Sequence, residues 1–305
     1  MKLFKQFNVK DLSFALACPA VIWQAFFLYF PLILLFMWSL LDYSPETGRY
    51  FFTFQFYSMI FSTTYFKAII NSVVVALITA SICFILAYPI AYFLAMKINK
   101  RYRPFLLFSL VLPSWTSFII QVYAWFFLLD KNGFVSRSLY TLGILPESWN
   151  LLNNYFSILI GMVCVYLPFM ILPLYTVLEK IDKSIIEASA DLGAHRLETF
   201  KRIIFPLSLP GVSIGFLLVF LPAFGEFVIP TLLGGSKFAF WGSIIKDKFL
   251  ETQDWKTGAS LSSLGIMFPI IIIAFVFIVS KVITAFKKLN QQSPSIKQQH
   301  PKDRW

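Results

Sequence analysis

Charge is scarce in this sequence. Only 13% of its 305 residues are Asp, Glu, Lys or Arg, about half the share of a soluble domain. The two histidines, His195 and His300, have no ligand-spaced partners, so zinc or haem coordination is not expected. The three cysteines, Cys18, Cys83 and Cys164, all lie in apolar runs. An odd count there makes neither a disulfide framework nor a metal set, and they read as small apolar fillers. No Gly-x-x-x-x-Gly-Lys-Ser/Thr loop occurs; Leu233-Gly234-Gly235-Ser236-Lys237 has its Lys after Ser and lacks the upstream Gly. The chain is therefore expected to bind neither ATP nor any other cofactor by itself. The strict alternation of a barrel strand is missing. No Ser/His/Asp constellation stands among the apolar segments either, which argues against an enzyme.

What fills the chain is hydrocarbon. Apolar residues make up 58% and aromatic residues 19%, with 36 Phe and a mean hydropathy of +0.73. A bilayer core requires about 20 consecutive apolar residues as helix. Six stretches meet that length: roughly Phe14–Leu41, Ala68–Met96, Phe105–Leu129, Leu152–Leu178, Leu207–Leu233 and Ala259–Phe286. Lys2, Lys5 and Lys10 precede the first, and Leu16-Ala17-Cys18 faintly resembles a lipoprotein cleavage site. The apolar run continues to Leu41, too long for a signal core, so a retained first helix is expected. The expected fold is an all-α integral membrane protein with six transmembrane helices. Residues 1–13 are a tail, 14–286 the membrane domain and 287–305 a second tail. From Asn290 onward that tail is polar, aperiodic and expected to be disordered.

Orientation follows the positive charge. The N-terminal segment, the 97–104 and 179–205 loops and the C-terminal end hold 18 of the 26 Lys and Arg. That bias places both termini in the cytoplasm. The net charge of +11 is then a topology signal for a protein held in membrane lipid, and nucleic-acid binding is not expected. The outer loops near 42–67, 130–151 and 234–258 carry Trp149, Trp241 and Trp255. They read either as an interfacial aromatic belt or as a docking surface for an external partner.

The most polar internal stretch, Glu187–Pro206, falls on the cytoplasmic side. Ser184 and Glu187 have capping-box spacing. Ile181, Ile185, Ala188 and Leu192 form an apolar stripe, and Gly193 suits a helix end. A second amphipathic piece, residues 194–204, leads to Pro206. The pattern predicts a helix–turn–helix, serving either as a connector on the lipid surface or as a surface read by a partner.

Glu226 is the one acidic residue inside an apolar span, and an ionisable group there is a functional candidate. It lies between Pro222 and Pro230, where the helix should break. It reads as a substrate contact, a gate or a structurally paired carboxylate. Trp115, Tyr123 and Trp125 offer aromatic faces for a cation, or ordinary packing. Gly211 with Gly215, and Gly258, Ser262 and Gly265, are expected at close helix contacts.

Glu187-Ala188, Gly193, Ile203 and Pro206 also stand at the spacing of Glu-Ala-Ala, three residues, Gly, nine residues, Ile, one residue, Leu-Pro. The segment resembles the EAA loop of ABC-importer permeases, departing at Ser189 for the second Ala and Phe205 for Leu. Leu112–Gly133, Tyr166–Asp182, Phe224–Gly235 and Asp254–Ser262 are similar to permeases of spermidine/putrescine importers, and more to the first of their two permease subunits. The resemblance implies a polyamine permease of the bacterial inner membrane. Its implied partners are a second homologous permease in a heterodimer, a cytoplasmic ATPase dimer carrying ATP-Mg, and a periplasmic or external substrate-binding protein. Glu187, Ala188, Ser189, Gly193, Ile203 and Pro206 would couple to the ATPase. Import of iron, thiamine or a phosphonate remains an alternative within this class, and a secondary transporter or channel one outside it. A coupled secondary transporter would need several intramembrane acids or an inverted repeat, and the sequence has neither.

Overall fold

The computed structural model describes residues 9–45, 48–146, 149–235 and 237–292. Helix α1 (Val9–Gln24), a π-helical turn (Ala25–Tyr29) and α2 (Phe30–Leu40) run without a break. A second π turn, Phe200–Ile204, occurs later in the chain. Each ends two residues before a proline, Pro31 or Pro206. Proline lacks an N–H and crowds the carbonyl four residues back, and a widened turn relieves that crowding.

Among the described residues the all-α expectation has one exception, a two-stranded antiparallel ribbon of β1 (Leu41–Ser44) and β2 (Arg49–Phe52). Aromatic side chains favour strands because they pack across the pleat. Here the Tyr43 and Tyr50 rings pair with centroids 5.3 Å apart. A short α3 (Gln55–Ser58) precedes α4 (Thr63–Met96), the 34-residue second span.

The third span departs from the sequence expectation of one helix over Phe105–Leu129. It is two arms, α5 (Arg103–Val111) with a 3-10 turn at Leu112–Trp115, and α6 (Phe118–Leu129), continued by α7 (Phe134–Thr141). The arms meet at 85°. Pro113 withholds a backbone donor at the bend, and Thr116 and Ser117 are extended. Helix α8 (Tyr155–Leu178) is the fourth span. After it come α9 (Lys183–Asp191), α10 (Arg196–Thr199) and α11 (Phe205–Gly225). A break at Glu226 and Phe227, between Pro222 and Pro230, separates α11 from α12 (Val228–Gly234). Then follow α13 (Trp241–Leu250) and α14 (Trp255–Gln292). Asn290–Gln292, assigned to a disordered tail from sequence, ends this last helix; the rest of that tail, like residues 1–8, lies outside the described residues. Among the described residues five helices are long and apolar enough to cross a membrane, and the bent α5–α6 pair makes six when taken as one span.

The chain divides into two compact units, Met1–Tyr57 with Ala259–Trp305, and Ser58–Gly258. In the first, buried Ser39 links three elements. Its hydroxyl donates to the Phe36 carbonyl (2.6 Å) and lies 2.6 Å from the Tyr57 hydroxyl, and its own carbonyl accepts from Ser260 (3.2 Å). In the second, α4, α8 and α11 pack mutually. Helix α4 offers a buried face of small residues, Ala76, Ala80, Cys83, Ala87 and Ala91. Gly211 and Gly215 lie against α8: an added Cβ would stand 2.9 Å from the Pro173 carbonyl oxygen or 2.7 Å from Met170 Sδ. These glycines permit close approach of two helices. Trp241 departs from the aromatic-belt expectation. It is 2% exposed, and its indole N–H has no partner among the described residues. Trp149 and Trp255 are about 60% exposed, at 61% and 60%.

Candidate functional site

The segment from α9 to α11 is a helix, a tight turn and a second helix. Its N-cap is Asp182, whose carboxylate accepts from the Ser184 N–H at 3.0 Å. This corrects the expected Ser184–Glu187 capping box. The helix begins two residues earlier than the pattern implied, because Asp is as good a cap as Ser. Hydrogen bonds from the Ser184 backbone and side chain hold the Asp182 carboxyl below its usual range. Glu187 is consequently an exposed side chain inside the helix. The reciprocal half of a capping box appears instead at α10, where Glu198 accepts from the His195 N–H at 3.2 Å.

Gly193 ends α9 with φ of 81°, and a Cβ there would meet nothing within 4 Å. Backbone conformation alone selects glycine at this turn. Across it, the buried hydroxyls of Ser189 and Thr199 are hydrogen-bonded at 2.9 Å. The two arms enclose an open groove of about 810 Å³ whose lining includes Ile185, Ala188, Ser189, Gly193 and Ile203. Glu187 and Pro206 are not in that lining; Pro206 opens α11. Leu192 is 89% exposed at the rim, an apolar side chain without cover among the described residues. The neighbouring 97–104 loop is tied down by Arg103. This guanidinium is nearly buried, donates to the Ile98 carbonyl (3.0 Å) and pairs with Glu179 at the end of α8 (3.2 Å).

A second locus lies at the other end of α11, about 30 Å away for a 21-residue helix. There the break after α11 and the bend before α6 face a common cavity of about 310 Å³. Glu226, 9% exposed, is its one carboxylate. Glu226 Oε1 accepts from the N–H groups of Phe227 (3.0 Å), Val228 (2.8 Å) and Ile229 (3.4 Å), which caps α12. Glu226 Oε2 accepts from the Tyr166 hydroxyl on α8 at 2.6 Å. From the bend come Ser114, Thr116 and Gln121. Behind the break sits Gly242 at the start of α13, where a Cβ would stand 2.3 Å from the Gly225 carbonyl oxygen.

The three aromatic candidates do not line this cavity. Trp115 is 71% exposed and meets Phe108 edge-on, with centroids 5.4 Å apart. Tyr123 is exposed and stacks on Phe127, and Trp125 is half-buried. Sequence reasoning passed over Ser114, Thr116, Gln121 and Tyr166. A polar side chain in an otherwise apolar span was the available signal for Gln121 and Tyr166.

Residues 87–288 match the family described as binding-protein-dependent transport system inner membrane component. The spermidine/putrescine transport system permease protein PotB of Escherichia coli K12 is 38% identical over 241 residues, covering 79% of this chain and 87% of that one. Its Haemophilus influenzae counterpart is 38% identical over 259 residues, 84% of this chain and 89% of that one. Among solved structures, a bacterial ABC transporter involved in the import of the acidic polysaccharide alginate shares the fold. Its TM-score is 0.70 at 18% identity, covering 90% of this chain and 96% of that chain. With most of its length inside the family pattern and such identity along most of both chains, this chain belongs to the binding-protein-dependent transport system inner membrane components.

Proposed function

We propose that this chain is one permease subunit of an ATP-driven importer of polyamines, spermidine or putrescine. The observation that carries the substrate class is Glu226, a buried carboxylate at a helix break, in a cavity whose lining holds no basic side chain among the described residues. A polycation is stabilised by such a site, and an anionic phosphonate is repelled. The similarity to spermidine/putrescine permeases supports the same substrate.

The chain performs no bond chemistry. A second permease completes the pathway, and a cytoplasmic ATPase pair supplies ATP hydrolysis. The groove between α9 and α10, with Leu192 at its rim, receives that ATPase. Both termini and this groove face the cytoplasm, while Glu226 lies toward the outer face. ATP binding closes the ATPases, moves the Glu187–Pro206 segment and switches the pathway between inward- and outward-facing states. The substrate arrives on an external binding protein.

The test is uptake of labelled spermidine and putrescine by the complete importer in proteoliposomes, with iron, thiamine and a phosphonate as competitors. Polyamine uptake that requires ATP and resists these competitors is expected. Uptake of a competitor in place of polyamine overturns the substrate. Robust ATP-independent flux through this chain alone overturns the importer in favour of a channel or secondary transporter.

A further inference from the structure

The polar side chains around the cavity at Glu226 direct their protons to other protein atoms. The Ser114 hydroxyl donates to the Val111 carbonyl at 2.6 Å and the Thr116 hydroxyl to the Pro113 carbonyl at 2.7 Å. The Gln121 amide nitrogen donates to that same Pro113 carbonyl and, at 2.9 Å, to Thr116 Oγ1. The Tyr166 hydroxyl donates to Glu226 Oε2. A hydroxyl has one proton and an amide two, so the donors of these four side chains are fully used.

What remains is acceptor capacity: the Glu226 carboxylate, the Gln121 amide oxygen and the hydroxyl oxygens. Among the described residues the Gln121 amide oxygen accepts no hydrogen bond. Phe118 and Phe169 add ring surface. These side chains, acceptors and aromatic rings, give nothing to an anion. It matches a group that only donates, and a primary ammonium has three N–H donors and a charge that aromatic faces attract. A cavity of about 310 Å³ is at the small end for a ligand pocket and suits one end of a linear amine.

We propose that this cavity is a subsite for one terminal primary ammonium of the transported polyamine, with Glu226 as the charged contact and Gln121 as the neutral one. It rests on the polyamine assignment above. Gln121 thus has two separable duties: its nitrogen braces the bend at Pro113, and its oxygen receives substrate. Gln121→Glu keeps the acceptor and loses the brace. Gln121→Lys keeps a donor for the brace and sets a cation where the ammonium would lie. Gln121→Met fills similar volume with neither.

In the complete importer, with the loaded binding protein saturating, labelled putrescine and spermidine uptake should be at least about tenfold faster for Gln121→Glu than for Gln121→Lys, the worth of one charge-assisted hydrogen bond. Gln121→Met should behave as Gln121→Lys, which covers a failure of the Lys variant to assemble. ATP hydrolysis stimulated by the binding protein should persist in each. Uptake by the Lys or Met variant equal to or above that of the Glu variant overturns the subsite and leaves Gln121 a brace alone. Equal loss in all three overturns it as well. A wild-type importer that moves no polyamine fails at the earlier step, which separates the two outcomes.

Discussion

Ser189 and Thr199 share a buried hydroxyl–hydroxyl hydrogen bond of 2.9 Å, which clips α9 to α10 across the Gly193 turn. Ser189 is a position where the resembling loop has alanine, and here the serine has a partner of its own. Ser189→Ala leaves the Thr199 hydroxyl buried without it, at a cost of about 1 kcal/mol. Amide exchange over residues 189–199 should quicken roughly fivefold, with the protein still inserted. Unchanged exchange would show that the clip contributes nothing.

Gly193 should tolerate substitution in a graded order. No atom crowds its Cβ position, so the cost comes from φ of 81° alone. Asn and Asp enter this region more readily than branched residues do. Gly193→Val should cost about 1–2 kcal/mol in the turn and uncouple uptake from ATP hydrolysis. Gly193→Asn should retain most uptake, and Gly193→Asp should fall between them while staying in the membrane. Equal loss in all three would point to a contact rather than to backbone strain.

Arg103→Met and Arg103→Lys should both lower thermal stability. The guanidinium makes two contacts in different directions, to Ile98 and Glu179, and an ammonium cannot reproduce that fork. Breaking a fully buried ion pair costs about 3–5 kcal/mol; the half-exposed Glu179 carboxylate brings the expected cost below that range. A melting temperature unchanged in the Lys variant would mean that charge alone suffices.

Gly242→Ala should disturb the Glu226 break without touching its carboxylate. The added methyl would stand 2.3 Å from the Gly225 carbonyl and 3.1 Å from that of Glu226, so α13 or the break must shift. Uptake is expected to drop about tenfold or more, since displacements of about 1 Å are costly at positioned sites. Normal uptake kinetics would show that the break accommodates the shift.

Glu226→Gln tests charge separately from shape. Glutamine still offers an oxygen to the Phe227 and Val228 N–H groups, so the α12 cap survives. Polyamine uptake should fall at least about tenfold, with ATPase assembly intact by co-purification. Unchanged uptake would remove Glu226 from the substrate path.

The positions of the spans were legible because crossing a bilayer imposes a local demand, about 20 apolar residues in a row. Helix breaks were legible only in part. Two prolines flanking Glu226 announced the break after α11, whereas Pro113 alone did not reveal an 85° bend. A single proline in a membrane helix either kinks it mildly or ends it, and neighbouring groups decide which. Here Gln121, Thr116 and Ser114 hold the freed carbonyls. The N-cap was misplaced by two residues because Asp182 and Ser184 are both good caps and the chain can use one.

The sequence by itself determined the membrane class, the six apolar stretches, the turn at Gly193 and the lone intramembrane carboxylate, all properties of short windows. Only the tertiary structure decided that Glu226 meets Tyr166 and shares a cavity with Gln121 while Trp115, Tyr123 and Trp125 face elsewhere. These residues come from three separate segments, and periodicity within one helix does not say which face meets which neighbour. That choice belongs to the packing of α6 and α12 on α8, and of α11 on α8 through Gly211 and Gly215, where close backbone approach sets the helix rotations and so selects the side chains that converge.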